Sequence, residues 1–188
     1  MRQIVGKDGA SALVGVVRGG WQDFRAEGRT RTRSGRAMIV WEYMVARASA
    51  DLADVFDGVR PVLVGGLPAF VLRDRILMRF KKHDRMLRTS NVQTKTQVAV
   101  ARQGYFDGMP GLAYVTCGYV LDKAEAGIER CVVVRSRRGS KWSIDLEELA
   151  AGQLAPAQPI LPGSERPHEL APLPSITRRA KEDEDGGQ

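Results

Sequence analysis

Between Arg79 and Arg88 the chain reads RFKKHDRMLR, so five cationic side chains, one imidazole and one carboxylate fall within ten residues. Lysine and arginine at this density suit phosphate, whose oxygens accept charge-assisted hydrogen bonds from ammonium and guanidinium groups. His83 beside Asp84 is the one candidate for acid–base work, as in metal-independent nucleases, with Arg79, Lys81 or Lys82 to stabilise a charged phosphorane. A polar turn after a strand would carry the same two residues. Just downstream, Ser90-Asn91-Val92-Gln93 fits the capping box S-x-x-Q, which predicts a helix over about 91–103 that ends at Gly104. Its exposed amides would sit beside Lys82, Arg85 and Arg88 and form an anion site, with Asn91, Thr94, Lys95, Thr96 and Gln97 close by. The candidate binding set is therefore Arg79, Lys81, Lys82, Asp84, Arg85, Arg88, Asn91, Thr94 and Lys95. A second basic group, Arg135, Arg137, Arg138 and Lys141, falls at an expected hairpin tip.

The charge balance of the chain follows from this stretch. Among 188 residues, 29 are Lys or Arg and 22 are Asp or Glu, a net charge of +7. From Arg73 to Arg102 nine basic residues face only Asp74 and Asp84, so the local excess equals the excess of the whole chain. Such a field attracts DNA or RNA through the phosphate backbone, or an acidic protein partner; otherwise it is a solvated face. Aromatic residues make up 6%, too few for a broad platform on which single-stranded bases stack.

The elements that must position these groups are read from periodicity and punctuation. Residues 1–33, rich in Gly, Arg and Thr, read as a flexible basic arm, with Leu13–Val17 as a short edge strand weakened by Gly15. Ser34 is a plausible N-cap for a helix over about 34–57. Its apolar stripe would be Met38, Trp41, Val45, Ala48, Leu52 and Val55, with Gly58 and Pro61 as stops. The stripe suits core packing or, as the sharper option, a homodimer seam through the 36–57 helix. Residues 59–72 predict two strands around Gly65-Gly66, and Ile76, Met78 and Phe80 alternate with Leu77, Arg79 and Lys81 as in a strand with one basic face. Residues 112–121, 128–136 and 141–146 predict an antiparallel meander, with Ile128, Val132 and Val134 opposite Cys131 and Val133. Residues 151–188 read as a disordered Pro-rich tail with an acidic end. The expected architecture is one α+β domain over 34–150: an antiparallel sheet with two main helices packed on one face.

Several chemistries lack the residues they need. Cys117, Cys131, His83 and His168 have no metal-ligand spacing, and no phosphate-loop, dinucleotide or nucleophile-elbow motif occurs, so no metal or cofactor is expected. Asp145 and Glu147 are the best carboxylates for a metal-dependent nuclease, but a lysine in the expected place is missing. The two cysteines, neighbours if their strands pair, read as buried packing groups. The glycine-broken N-terminal run is a poor signal peptide and no apolar stretch approaches the roughly 20 residues of a membrane span, so a cytoplasmic protein with no membrane role is expected.

The runs RFKKHDRMLRTSNVQTKTQ, GLAYVTCGYVLD and KWSIDL resemble a group of small bacterial proteins with the pattern R-F-K-K-x-D, S/T-x-N-x-x-T, G-Y-x-L-D and W-x-I-D-L. The resemblance spans about 36–147. It implies a partner-associated regulatory or defence role, in prophage or toxin–antitoxin neighbourhoods, with no activity to carry over. The positions it picks out (Arg79, Lys81, Lys82, Asp84, Asn91 and Thr94) overlap the basic stretch. Taken together, the leading expectation is a non-enzymatic accessory or regulatory protein on nucleic acid. The alternatives are an antitoxin-like module docking an acidic protein and a nuclease toxin using His83.

Overall fold

The computed structural model describes residues 2–28, 32–89, 111–137, 140–153 and 158–159. In chain order these form α1 (Arg2–Ala26), α2 (Arg33–Asp51), β1 (Arg60–Val64), β2 (Leu67–Leu72), β3 (Ile76–His83), β4 (Ala113–Leu121), β5 (Ile128–Arg137), β6 (Ser140–Asp145), a short α3 (Leu146–Ala150) and β7 (Gln158–Pro159). The strands make one seven-stranded sheet in sequential order, antiparallel throughout except for the parallel pair β3–β4. A parallel pair cannot be closed by a hairpin. The connection from His83 to Ala113 must return to the other end of the sheet, and residues 90–110 of it lie outside the described residues. This is an α+β fold in which α1 and α2 pack on one face of an antiparallel-dominated sheet.

Alternation decides which side chains meet the helices. Phe70, Leu72, Ile76, Met78, Phe80, Val115, Cys117, Tyr119, Cys131, Val133 and Ile144 share a core with Val5, Leu13, Val17, Trp21 and Phe24 of α1 and Val40, Met44 and Ala48 of α2. Each such fully buried aliphatic or aromatic side chain contributes about 1.5–3 kcal/mol through apolar area withdrawn from water. Trp21 marks the junction, with its ring 5.9 Å from that of Tyr119 and 5.6 Å from that of Phe24. The second face of the sheet is buried as well. Ala69, Val71 and Leu77 form one cluster with Tyr114 and Val62, and Val120, Val132 and Val134 another with Leu87.

The arm expected over 1–33 is instead α1, kinked at Gly6, which takes φ 63°. Ala10, Leu13, Val17, Trp21 and Phe24 recur at helical spacing and are buried. Of the glycines that suggested loose structure, Gly19 and Gly20 lie where α2 comes close and Gly9 lies against Phe56 beyond it, whereas Gly6 and Gly15 face open space. A Cβ on Gly20 would lie 2.8 Å from Met44 Cγ, and one on Gly9 2.5 Å from the Phe56 ring. So α1 is one of the two helices on the sheet, and the helix expected over 91–103 lies outside the described residues.

The helix expected over 34–57 is α2, capped by Thr32, whose hydroxyl accepts from Gly35 N at 3.2 Å, and closed at Leu52. Its inward face is Val40, Met44 and Ala48, continued by Leu52 at the C-cap, so Met38 (61% exposed) lies off the face assigned to it, and Val55 (37%) falls beyond the end of the helix. The hairpin around Gly65-Gly66 forms as expected, with both glycines at positive φ, as a type I′ turn needs. In β5, Val132 and Val134 oppose Cys131 and Val133 as predicted. Ile128 does not join Val132, because Val120 pairs Arg130 while Leu121 pairs Ile128, and the extra Glu129 turns Ile128 to the helix side. Leu146, predicted as the last residue of a strand, begins α3. The tail beyond Gln153, apart from β7, lies outside the described residues.

Candidate basic site at the end of strand β3

Strand β3 divides the basic stretch between two environments. Its odd-numbered positions, Leu77, Arg79, Lys81 and His83, lie on the sheet face away from α1 and α2, and burial there is deep: Arg79 is 5% exposed and His83 1%. Sequence alternation places Arg79 and Lys81 on an outer basic face, whereas the structure buries Arg79 and half-buries Lys81. The parallel register sets Arg79 beside Thr116, Lys81 beside Gly118 and His83 beside Val120. Arg79 hydrogen-bonds the Tyr114 hydroxyl. His83 Nε2 lies 2.9 Å from Thr116 Oγ1, which is 3.4 Å from the Val134 carbonyl oxygen. At Gly118 a Cβ would fall 1.7 Å from the Lys81 carbonyl oxygen, so only glycine allows the two backbones to approach there.

Burial also decides protonation on this face. It pushes the His83 imidazole down to about 4, with Lys81 acting in the same direction and Asp84 opposing, so the ring is neutral near pH 7. Burial and then the neighbouring Arg79 lower Lys81. The Arg79 Nε and the His83 Nδ1 are buried without a hydrogen-bond partner.

Beyond β3 the chain turns sharply and its cations are paired. Asp84 closes the turn: its carboxylate accepts from Arg88 N at 2.8 Å and Arg88 Nε at 2.9 Å, while Asp84 N donates to the Arg88 carbonyl at 2.8 Å. His83 and Asp84, adjacent in sequence, therefore point apart. The ring turns into the sheet face toward Thr116, and the carboxylate turns out to Arg88. Arg85 reaches Glu129 at 2.9 Å and Lys82 reaches Glu125 at 3.4 Å. Glu125, held at φ 53°, also receives Arg36 and, at 3.3 Å, Arg33 from the start of α2. Burial alone would raise the Glu125 carboxyl, but the Arg36 hydrogen bond and the Lys82 and Arg33 charges outweigh it and hold it below the ordinary carboxylate range. Arg36 further lies 5.9 Å from the Trp21 ring centroid.

One corner of the sheet thus gathers Arg33, Arg36, Lys82, Arg85 and Arg88 around Glu125, Glu129 and Asp84. Sequence reading finds Lys82, Arg85 and Arg88 but misses Arg33 and Arg36, because the arm-and-helix assignment separates them from β3 by some fifty residues. It also misses the acids Glu125 and Glu129, which sit in and after an unremarkable turn. Asn91, Thr94, Lys95 and Arg138 lie outside the described residues. Arg137 ends β5, at the opposite end of that strand from Glu129.

The other candidates resolve into structural roles. Asp145 is the N-cap of α3 and accepts from Glu147 N at 2.9 Å and Glu148 N at 3.2 Å. Glu147 pairs with Arg18 of α1, whose Nε lies 2.6 Å away, so neither carboxylate stands open as a metal ligand. Among the described residues no group of three or more His, Cys, Asp or Glu could hold a metal ion. Cys117 and Cys131 are free and buried, diagonal neighbours on the helix side, Cys117 opposite Val133 and Cys131 opposite Tyr119. Burial pushes Cys117 up and Cys131 up to about 12, so both are inert thiols. Among the described residues no helix is long and apolar enough to cross a membrane. No family model, curated protein or solved structure matches the chain.

Proposed function

We propose that this protein is a non-enzymatic, nucleic-acid-associated accessory or regulatory protein of the cytoplasm that contacts phosphates through the corner where β3, the 84–88 turn and the start of α2 meet. The observation that carries this reading is the convergence there of Arg33, Arg36, Lys82, Arg85 and Arg88, five cations against three carboxylates. Arg85 and Arg88, about half exposed, sit on carboxylates that are themselves 43–44% exposed. Surface pairs of this kind are worth at most about 1 kcal/mol, so a phosphate can take over the cations at little cost. Phosphate contacts of this sort set position without reading sequence. The resemblance of the 36–147 region adds a partner-associated regulatory or defence setting.

Binding of the purified chain to labelled duplex DNA and RNA across a salt series tests the reading, with Lys81→Ala/Lys82→Ala and Arg85→Ala/Arg88→Ala variants alongside. Affinity should fall steeply with salt, with a shallower slope in the Arg85/Arg88 variant, by roughly one unit for each phosphate no longer held. Absence of binding at low salt sinks the reading. In that case an acidic protein partner, sought with the same variants, becomes the better account of the corner.

A further inference from the structure

Inside the sheet face, away from that corner, the charge of Arg79 is left over. It is 5% exposed, its Nε meets no acceptor, and among the described residues no carboxylate pairs with it. The nearby acids are committed elsewhere, Asp84 to Arg88, Glu125 to Lys82, Arg36 and Arg33, and Glu129 to Arg85. A buried cation without a counter-charge is costly to keep. Two positions along the same strand face stands Lys81, and two further His83, at about 6.6–7 Å per pair of residues. The hydroxyl of Thr116 is directed at the Val134 carbonyl, so it accepts Nε2–H from His83 and leaves Nδ1 as a bare, buried acceptor. Gly118, opposite Lys81, adds no side chain to this face.

We propose that Arg79, Lys81 and His83 frame a binding site for a single phosphate group, with Arg79 and Lys81 as its cations and His83 Nδ1 as the acceptor for a P–OH proton. Lys81 stands between these two buried groups on the same strand face and is itself half-buried. A duplex lying on the surface corner cannot reach a guanidinium this deep, so the site takes a compact tetrahedral anion, either free orthophosphate or the terminal monoester of a nucleic acid. It stands independently of the corner, and each can fail alone.

The test is thermal unfolding and titration calorimetry of the full chain with orthophosphate near pH 6, against chloride and sulfate at equal ionic strength. Oligonucleotides bearing a 5′-phosphate or a 5′-hydroxyl separate the two sources. Phosphate should raise Tm in a saturable way, as a ligand of the folded state does. Sulfate, which offers no P–OH, should bind at least tenfold more weakly. Arg79→Gln should abolish the response, Arg79→Lys should retain part of it, and Arg73→Gln at the exposed β2–β3 turn should leave it intact. If Arg79→Gln does not fold, Lys81→Gln replaces it, with at least a tenfold loss expected. A Tm that moves no more with phosphate than with chloride overturns the site, as does an equal loss in Arg73→Gln. Sulfate binding as tight as phosphate removes His83 from it.

Discussion

At the scale of single residues, the side chains that look most chemical are the ones most constrained by packing. His83 is neutral because burial disfavours its charged form and pushes it down to about 4 from an ordinary 6.5. Between those two values the unfolded chain takes up a proton that the folded chain refuses. Stability is therefore complete above about pH 6.5 and falls as pH drops toward 4, by on the order of 3 kcal/mol. Denaturant midpoints of wild type and His83→Gln at pH 7.5 and pH 5 check this: the wild type should lose stability between the two, and the variant should lose much less. The same residue shows where sequence legibility stops. Its alternation with Lys81 and Arg79 is readable, and so is the strand, but whether that face is open or covered depends on chain far away. Adjacency in sequence joins His83 to Asp84, yet neighbouring residues at a strand end diverge, one into the sheet and one into the turn.

At the scale of elements, α1 carries the main lesson. Five glycines between Gly6 and Gly20 read as loose chain because glycine costs about 1 kcal/mol in a helix relative to alanine. Tertiary packing overrides that preference, since a bare Cα lets the α2 backbone come close at Gly20. Two substitutions separate the roles. Gly20→Val would drive its side chain into Met44, whose backbone N lies 3.0 Å from the Cβ position, and should cost about 2–3 kcal/mol in urea titration. Gly15 faces open space, so Gly15→Ala should be neutral or stabilise by up to about 1 kcal/mol. Elsewhere local rules are enough. The β1–β2 hairpin is legible because two consecutive glycines meet the positive φ its turn requires, and β4, β5 and most of β6 are legible from alternating β-formers. The α2 stripe is misphased because an apolar residue on each turn of both faces allows two helical stripes; contact with α1 chooses the one through Met44.

At the scale of the whole molecule, Glu125 acts as a clasp on three separate segments, the start of α2, the end of β3 and the β4–β5 turn. Its folded pKa is depressed, so its contribution is present above the ordinary carboxylate value of about 4.3 and is lost as pH falls through the lower folded value. Glu125→Gln should destabilise by about 1–2 kcal/mol at pH 7, and the gap from wild type should narrow by pH 3 in the same urea titration. The clasp also reinterprets the basic stretch. By its sequence alone, this protein is an α+β chain with a concentrated cationic segment, a Gly-Gly hairpin and a meander, because periodicity, turn chemistry and charge are local properties. Only the tertiary structure decided that α1 is a helix and that Arg79 and His83 are buried. It also decided that Arg33 and Arg36 join the corner and that Glu125 and Glu129 offset part of its charge. Those outcomes depend on contacts between residues far apart in the chain, where burial and long-range ion pairing outweigh local preference.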